Sequence, residues 1–260
     1  MEQTRMPVKT PSRLSAAAGR RFATGLLWLL LWLCTPQCHA AQQKAADPMP
    51  SEFDQALRKV PDVANGRRLF SLCIACHGPE GWGRSDGSYP QIAGQLASVI
   101  IKQLADIRAG NRANPIMRAF TSRRVLGGPQ EIADLAAYIA GLPMTPHNGR
   151  GPDYLVDEGR PIYRKHCADC HGDEAEGDAD EHIPLLQGQH YRYMKRQFDH
   201  IRTGQRRNAD PKMTKQIQSF SRHDENAVLS YVSHILPPAE KRAPPGWRNP
   251  DFPLIPRHPQ

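Results

Sequence analysis

The chain has 260 residues, 24 prolines and a formal net charge of +8, a size for one or two globular domains with irregular ends. Residues 1–40 hold five basic and one acidic side chain, so half of the surplus belongs to the N-terminus. The remaining excess is small and no basic patch is interleaved with aromatics, which excludes nucleic-acid binding as the reading.

Residues 1–21 are basic and end in Arg20-Arg21; the apolar run Phe22 to Leu33 and the small-residue stretch Cys38-His39-Ala40-Ala41 follow. A basic segment, an apolar segment and small residues in that order predict an export signal over residues 1–40, cleaved near Ala40. Twelve apolar residues are short for a bilayer span, which leaves an uncleaved N-terminal anchor as the alternative. Bulky Leu33 before Cys34 makes a poor lipoprotein site. Cleavage removes Cys34 and Cys38, so four of the six cysteines remain. Residues 41–59 read as a polar tether with a short helix near Phe53 to Leu57.

A helix capped by Asp62 or Asn65 then leads into Cys73-Ile74-Ala75-Cys76-His77, and residues 153–159 lead likewise into Cys167-Ala168-Asp169-Cys170-His171. C-x-x-C-H is the pattern of covalent c-type haem attachment. Residues three and four apart share a helix face, with Cβ atoms roughly 5–6 Å apart. Both thiols can therefore meet one porphyrin edge, while the histidine sends a ring nitrogen to the iron. Other readings of paired cysteines fit less well. A four-cysteine zinc site usually spaces its pairs by about 15–20 residues, and here the gap is some 90. A thioredoxin-like site needs a βαβ setting, and structural disulfides give no reason for the histidine that follows each pair. The expected cofactors are two c-type haems, one on Cys73 and Cys76 and one on Cys167 and Cys170.

The segments that follow the first motif recur after the second. Tyr89-Pro90-Gln91-Ile92-Ala93-Gly94-Gln95 answers Ile183-Pro184-Leu185-Leu186-Gln187-Gly188-Gln189, and the segments around Gln103 and Ile132 answer those around Gln197 and Glu225, at offsets of 93 to 96. This is a tandem duplication of a unit of about 85 residues. Apolar residues at helical spacing predict a helix from Leu96 to Arg108 ended by Gly110, and a counterpart from Tyr191 to Thr203 ended by Gly204. Pro129 opens a helix that Gly141 and Pro143 stop. Its counterpart runs from about His223, behind a Ser221 cap, to Leu236. No alternating strand pattern is present. The expected class is all-α, two cytochrome c-like helical domains each packed around a covalently bound haem. Domain 1 spans 60–144, a linker 145–152, domain 2 153–237 and a proline-rich tail 238–260, extended and draped over a domain.

His77 and His171 leave a sixth iron position for a second ligand. A true ligand should occur in both copies, and Pro115-Ile116-Met117 answers Pro211-Lys212-Met213, each some 40 residues after the haem histidine. Met117 and Met213 are therefore the expected ligands, placed on a polar loop before the last helix; a methionine ligand marks an electron carrier. Met144 and Met194 lack such repeats. His182, His190, His200 and His223 occur only in the second copy and read as surface or cap residues. Pro90 and Pro184 are candidates to offer a carbonyl to His77 and His171.

These paired motifs, the repeated Pro-x-x-x-Gly-Gln segment, the Gly-x-Arg turn before each methionine and the tyrosine-bearing final helix resemble the dihaem cytochrome c4 family over residues 60–237. The resemblance implies two class I cytochrome c folds related by a pseudo-twofold axis, His/Met haems meeting near their interface, and a periplasmic or membrane-attached electron carrier. Implied partners are redox proteins: a quinol–cytochrome c reductase, a terminal oxidase or a dehydrogenase. Alternatives are a dedicated cytochrome subunit of a dehydrogenase, such as a flavin-containing sulfide-oxidising complex, and a dihaem peroxidase or thiosulfate-oxidising enzyme, which needs an open or unusually ligated haem. Leu126-Gly127-Gly128-Pro129 and the tail depart from the family pattern. Domain 1 has nine basic and six acidic residues, domain 2 twelve and fourteen; the acidic run 173–181 reads as a solvated loop or as part of a partner-steering surface.

Overall fold

A computed structural model describes residues 50–255. The expected export signal, Cys34 and Cys38, part of the tether and the last five residues lie outside this range. Among the described residues there is no β-strand, only two isolated bridges, and no helix is long and apolar enough to cross a membrane.

The first repeat comprises α1 (Glu52–Leu57), α2 (Val63–Phe70), α3 (Ile74–His77), α4 (Ala97–Ala109), α5 (Pro115–Thr121), α6 (Arg123–Leu126) and α7 (Pro129–Ala140). The second comprises α8 (Val156–His166), α9 (Ala168–His171), α10 (Tyr191–Arg202), α11 (Pro211–Gln218) and α12 (Arg222–His234). Their ends follow local chemistry. Asp62 accepts hydrogen bonds from the Ala64 and Asn65 amides at the start of α2, as expected. Ser221 and Asp224 form a capping box on α12. At α7, where the sequence departs from the family pattern, Gly128 has no side chain to cap with; the Glu131 carboxylate instead accepts from the Gly128 amide at 2.7 Å.

The two repeats share one packing plan. Helices α2 and α7 cross at Gly66, and α8 and α12 cross at Gly159. A Cβ on Gly66 would sit 2.1 Å from the Asp134 carbonyl oxygen, and one on Gly159 2.0 Å from that of Ala227. Only glycine permits this approach. Beside each crossing an aromatic pair closes the core, Phe70 with Tyr138 and Tyr163 with Tyr231. Ile132, Leu135, Ile100 and Ile139 complete the first core, and Phe198, Val228, Ile217 and Val232 the second.

The end of domain 1 and the start of the linker are more structured than their composition implies. Met144 and Thr145 are buried. The Met144 amide donates to Lys241 O at 2.8 Å, and the Ala243 amide donates to Met144 O at 2.8 Å. This pairing turns the tail back toward the first repeat. There Trp247 packs near Trp82 and Phe252 near Phe70. Asn249, fully buried, donates to Pro79 O at 2.6 Å, and Tyr138 donates to Asp251 at 2.9 Å. The tail drapes as expected, over the domain it does not follow in sequence.

Candidate haem-binding sites

Each C-x-x-C-H motif is a single helical turn, α3 and α9, entered directly from the preceding helix. The Cys73 amide donates to Phe70 O, and the Cys167 amide to Tyr163 O, both at 2.8 Å. None of these four cysteines is in a disulfide. Burial, with a contribution from the neighbouring cysteine, pushes Cys73 and Cys167 up to about 12. Both are thereby held as the unreactive thiol, because the thiolate is the reactive form. Among the described residues no cluster of histidine, cysteine or carboxylate side chains forms a conventional metal site, so a four-cysteine zinc site finds no support.

His77 and His171 are both buried. Nδ1 of His77 lies 3.1 Å from Pro90 O, and Nδ1 of His171 lies 3.0 Å from Pro184 O. Each Nδ1–H is the donor to a carbonyl that can only accept, which leaves Nε2 with its lone pair uncommitted. Burial holds both imidazoles below the ordinary histidine value, and the proline carbonyls only partly offset it. A neutral imidazole with fixed tautomer and a free Nε2 is the form that ligates iron. The donor set therefore fits a covalently attached porphyrin.

The methionines lie on helices rather than on the loop expected from sequence. Met117 is the third residue of α5 and Met213 the third of α11. In each, a proline opens the helix and a capping side chain accepts from the methionine amide, Asn114 at 3.2 Å and Asp210 at 3.1 Å. The residues called polar loop, Asn114-Pro115 and Asp210-Pro211, are helix starts. Met117 packs against the core that carries Cys73, and Met213 against the core that carries Cys167.

Family models match both repeats: cytochrome c over residues 63–143, and cytochrome c oxidase, cbb3-type, subunit III over residues 155–232. Cytochrome c4 of Azotobacter vinelandii is 32% identical over 192 residues, covering 67% of this chain and 89% of that protein. The chain belongs to the cytochrome c4 family. Cytochrome c4 of Pseudomonas aeruginosa is equally similar, 32% over 184 residues, covering 67% of this chain and 89% of that one. The solved structure of reduced recombinant cytochrome c4 from Pseudomonas stutzeri is 27% identical, with a TM-score of 0.61, and covers 68% of this chain and all of that one. A protein of Stutzerimonas stutzeri named thiosulfate dehydrogenase electron acceptor is 28% identical, covering 66% of this chain and 87% of that protein. The protein is a dihaem electron-transfer cytochrome with two covalently bound c-type haems.

Two features of this cytochrome c4 escaped sequence reasoning. His190, taken for a surface or cap residue, does stand at the start of α10, but its side chain is fully buried between the repeats. Its Nδ1 accepts from the Gly149 amide at 2.9 Å and its Nε2 donates to Trp82 O at 2.7 Å. The second is a repeat-matched polar cluster. Arg112 donates to Gln103 of its own repeat and to Tyr193 and Gln197 of the other. Arg206 donates to Gln197 and Gln103. Burial, with Arg112 nearby, brings the Arg206 guanidinium down to about 10. The repeated Gln and Arg were legible as a pattern; their meeting across the interface was not.

Proposed function

We propose that this cytochrome c4 carries single electrons between exported redox proteins through two irons, each held by a histidine and a methionine. Cys73 and Cys76 hold the first haem and Cys167 and Cys170 the second. His77 with Met117, and His171 with Met213, are the axial ligands, and Pro90 and Pro184 orient the histidines. The observation that carries this reading is the duplicated geometry: a buried imidazole tied through Nδ1 to a proline carbonyl, and a methionine third in a capped helix on the same core as the cysteines. Bound haem supplies a one-electron couple, which a methionine ligand shifts upward. The chain's own residues fix the imidazole tautomer, supply the sulfur and exclude water from the core. Two protein ligands per iron leave no position for a substrate, which favours a carrier over an enzyme. The export signal supports a periplasmic location, free or tethered by that segment, with a quinol–cytochrome c reductase, a terminal oxidase or a dehydrogenase as partner.

A pyridine-haemochrome count with a redox titration tests the haem assignment, and the expected result is two haems per chain. In the ferric protein, Met117→Ala and Met213→Ala should each remove about half of the weak sulfur-to-iron charge-transfer band expected of methionine ligation. An undiminished band in either variant removes that methionine from the ligand set.

The similarity to a protein named as an electron acceptor for thiosulfate dehydrogenase favours a second reading, a dedicated acceptor for one dehydrogenase. Stable co-purification with such an enzyme supports it. Thiosulfate or peroxide turnover by the isolated chain would instead favour an enzyme.

A further inference from the structure

At the centre of the interface, Gln95 of the first repeat and Gln189 of the second make the same contacts in mirror fashion. Gln189 Oε1 accepts from the Gln91 amide at 3.1 Å, and its Nε2 donates to Gln91 O at 2.8 Å. Gln95 Oε1 accepts from the Leu185 amide at 3.0 Å, and its Nε2 donates to Leu185 O at 2.9 Å. Each Oε1 also accepts from the next amide of its own chain segment, Leu96 or His190, at 3.0 Å. Gln189 is buried and Gln95 half-buried.

The Gln91 N–H and the Pro90 carbonyl belong to one peptide group, as do the Leu185 N–H and the Pro184 carbonyl. These are the carbonyls that accept from His77 and His171. A continuous path thus runs from His77 Nδ1–H through the 90–91 peptide to Gln189, and from His171 Nδ1–H through the 184–185 peptide to Gln95. Hydrogen bonds in series polarise one another. Withdrawing the amide proton toward Oε1 makes the peptide oxygen a stronger acceptor, which gives the imidazole more anionic character and favours oxidised iron.

We propose that Gln189 and Gln95 are crossed positioning residues: each repeat sets the basicity of the other repeat's haem histidine through the peptide that histidine donates to. This rests on the assignment of His77 and His171 as iron ligands. It gives the pair of domains a function that neither has alone, because separating them relaxes both histidines.

The test uses the holoprotein. Gln189→Met should raise the potential of the haem on Cys73 and Cys76, changing its one-electron equilibrium constant about threefold, about 28 mV at 59 mV per tenfold. The haem on Cys167 and Cys170 should stay put; Gln95→Met should do the reverse. In the reduced protein the His77 Nδ1 proton resonance should move upfield in Gln189→Met while that of His171 holds. A shift in the variant's own domain, equal shifts in both, or none overturns the proposal. Gln189→Glu keeps the accepting oxygen and should leave the first potential at or below its starting value; a rise overturns it. Should the methionine variants fail to take up two haems, amide exchange in the unsubstituted protein decides. The Gln91 and Leu185 amides must be strongly protected, and free exchange sinks the path. Histidine ligation is checked separately from the low-spin spectrum of the unsubstituted protein. Loss of that signature removes the ligand assignment, whereas intact ligation with uncrossed potentials removes only the role of the glutamines.

Discussion

His190 fills the space between the repeats as a neutral ring, accepting with one nitrogen and donating with the other. Protonation would put two donors, Nδ1–H and the Gly149 N–H, face to face. Burial lowers its proton affinity, and the Trp82 carbonyl and the Asp86 charge only partly offset this. The sign of the linkage follows. The unfolded chain takes up a proton near the ordinary value of 6.5 while the folded chain does not, so stability is full above that pH and falls as pH drops below it. The slope is at most about 1.4 kcal/mol per pH unit. His190→Gln keeps a donor for Trp82 but cannot titrate. Urea midpoints from pH 7.5 to pH 5 should therefore fall less steeply for the variant; parallel slopes would rule His190 out. The same residue shows where sequence reasoning stops. A histidine unmatched in the other repeat looks dispensable, and only its neighbours Gly149 and Trp82, 41 and 108 positions away, show otherwise. The haem-attachment motifs were the opposite case, because covalent attachment imposes a local spacing that can be seen without any tertiary contact.

At the scale of elements, the helices were legible because caps, terminating glycines and opening prolines act within a turn or two. The acidic run keeps its solvated character at Asp173, Glu174, Glu176, Asp180 and Glu181, which are exposed. It is nonetheless anchored: Asp178 accepts from the Asp180 and Glu181 amides, and Ser98 donates to Ala179 O at 2.6 Å. Helix crossings carry a sharper expectation. In Gly159→Ala the new methyl meets the Ala227 carbonyl at 2.0 Å, so α8 and α12 must part, at a cost of about 3 kcal/mol or more. Gly110→Ala meets nothing within 4 Å and suffers only its positive φ of 84°, about 1–2 kcal/mol. Thermal melts of the two holoproteins should separate them clearly. A Gly110→Ala loss as large as that of Gly159→Ala would contradict the crossing as the origin of the requirement.

Across the described residues, the glutamine pair, His190 and the Arg112–Arg206 cluster join the repeats, and the returning tail closes over the first repeat. Removing residues 245–260 strips Trp247, Asn249, Asp251 and Phe252 from their partners. The lost apolar burial and buried hydrogen bonds should cost about 3 kcal/mol. Hydrogen exchange locates the loss: protection should fall in α2 and α7 and hold in α8 and α12. Equal loss in both pairs would mean that the tail supports the interface rather than one domain.

By itself, the sequence determined the two covalent haems, the all-helical class, the duplication and the approximate ends of the long helices. Each depends on chemistry within a few residues or on self-similarity along the chain, and both survive without three-dimensional information. Only the tertiary structure decided that the tail returns to the first domain, that Met117 and Met213 sit inside helices, that His190 is a buried bridge, and that Gln95 and Gln189 reach the peptides beside each other's histidines. Those contacts join residues 41 to 182 positions apart or turn on the competition between a loop and a capped helical turn. Their energy comes from burial and from polar groups that must find partners once water is gone. No local pattern encodes which distant group that partner will be.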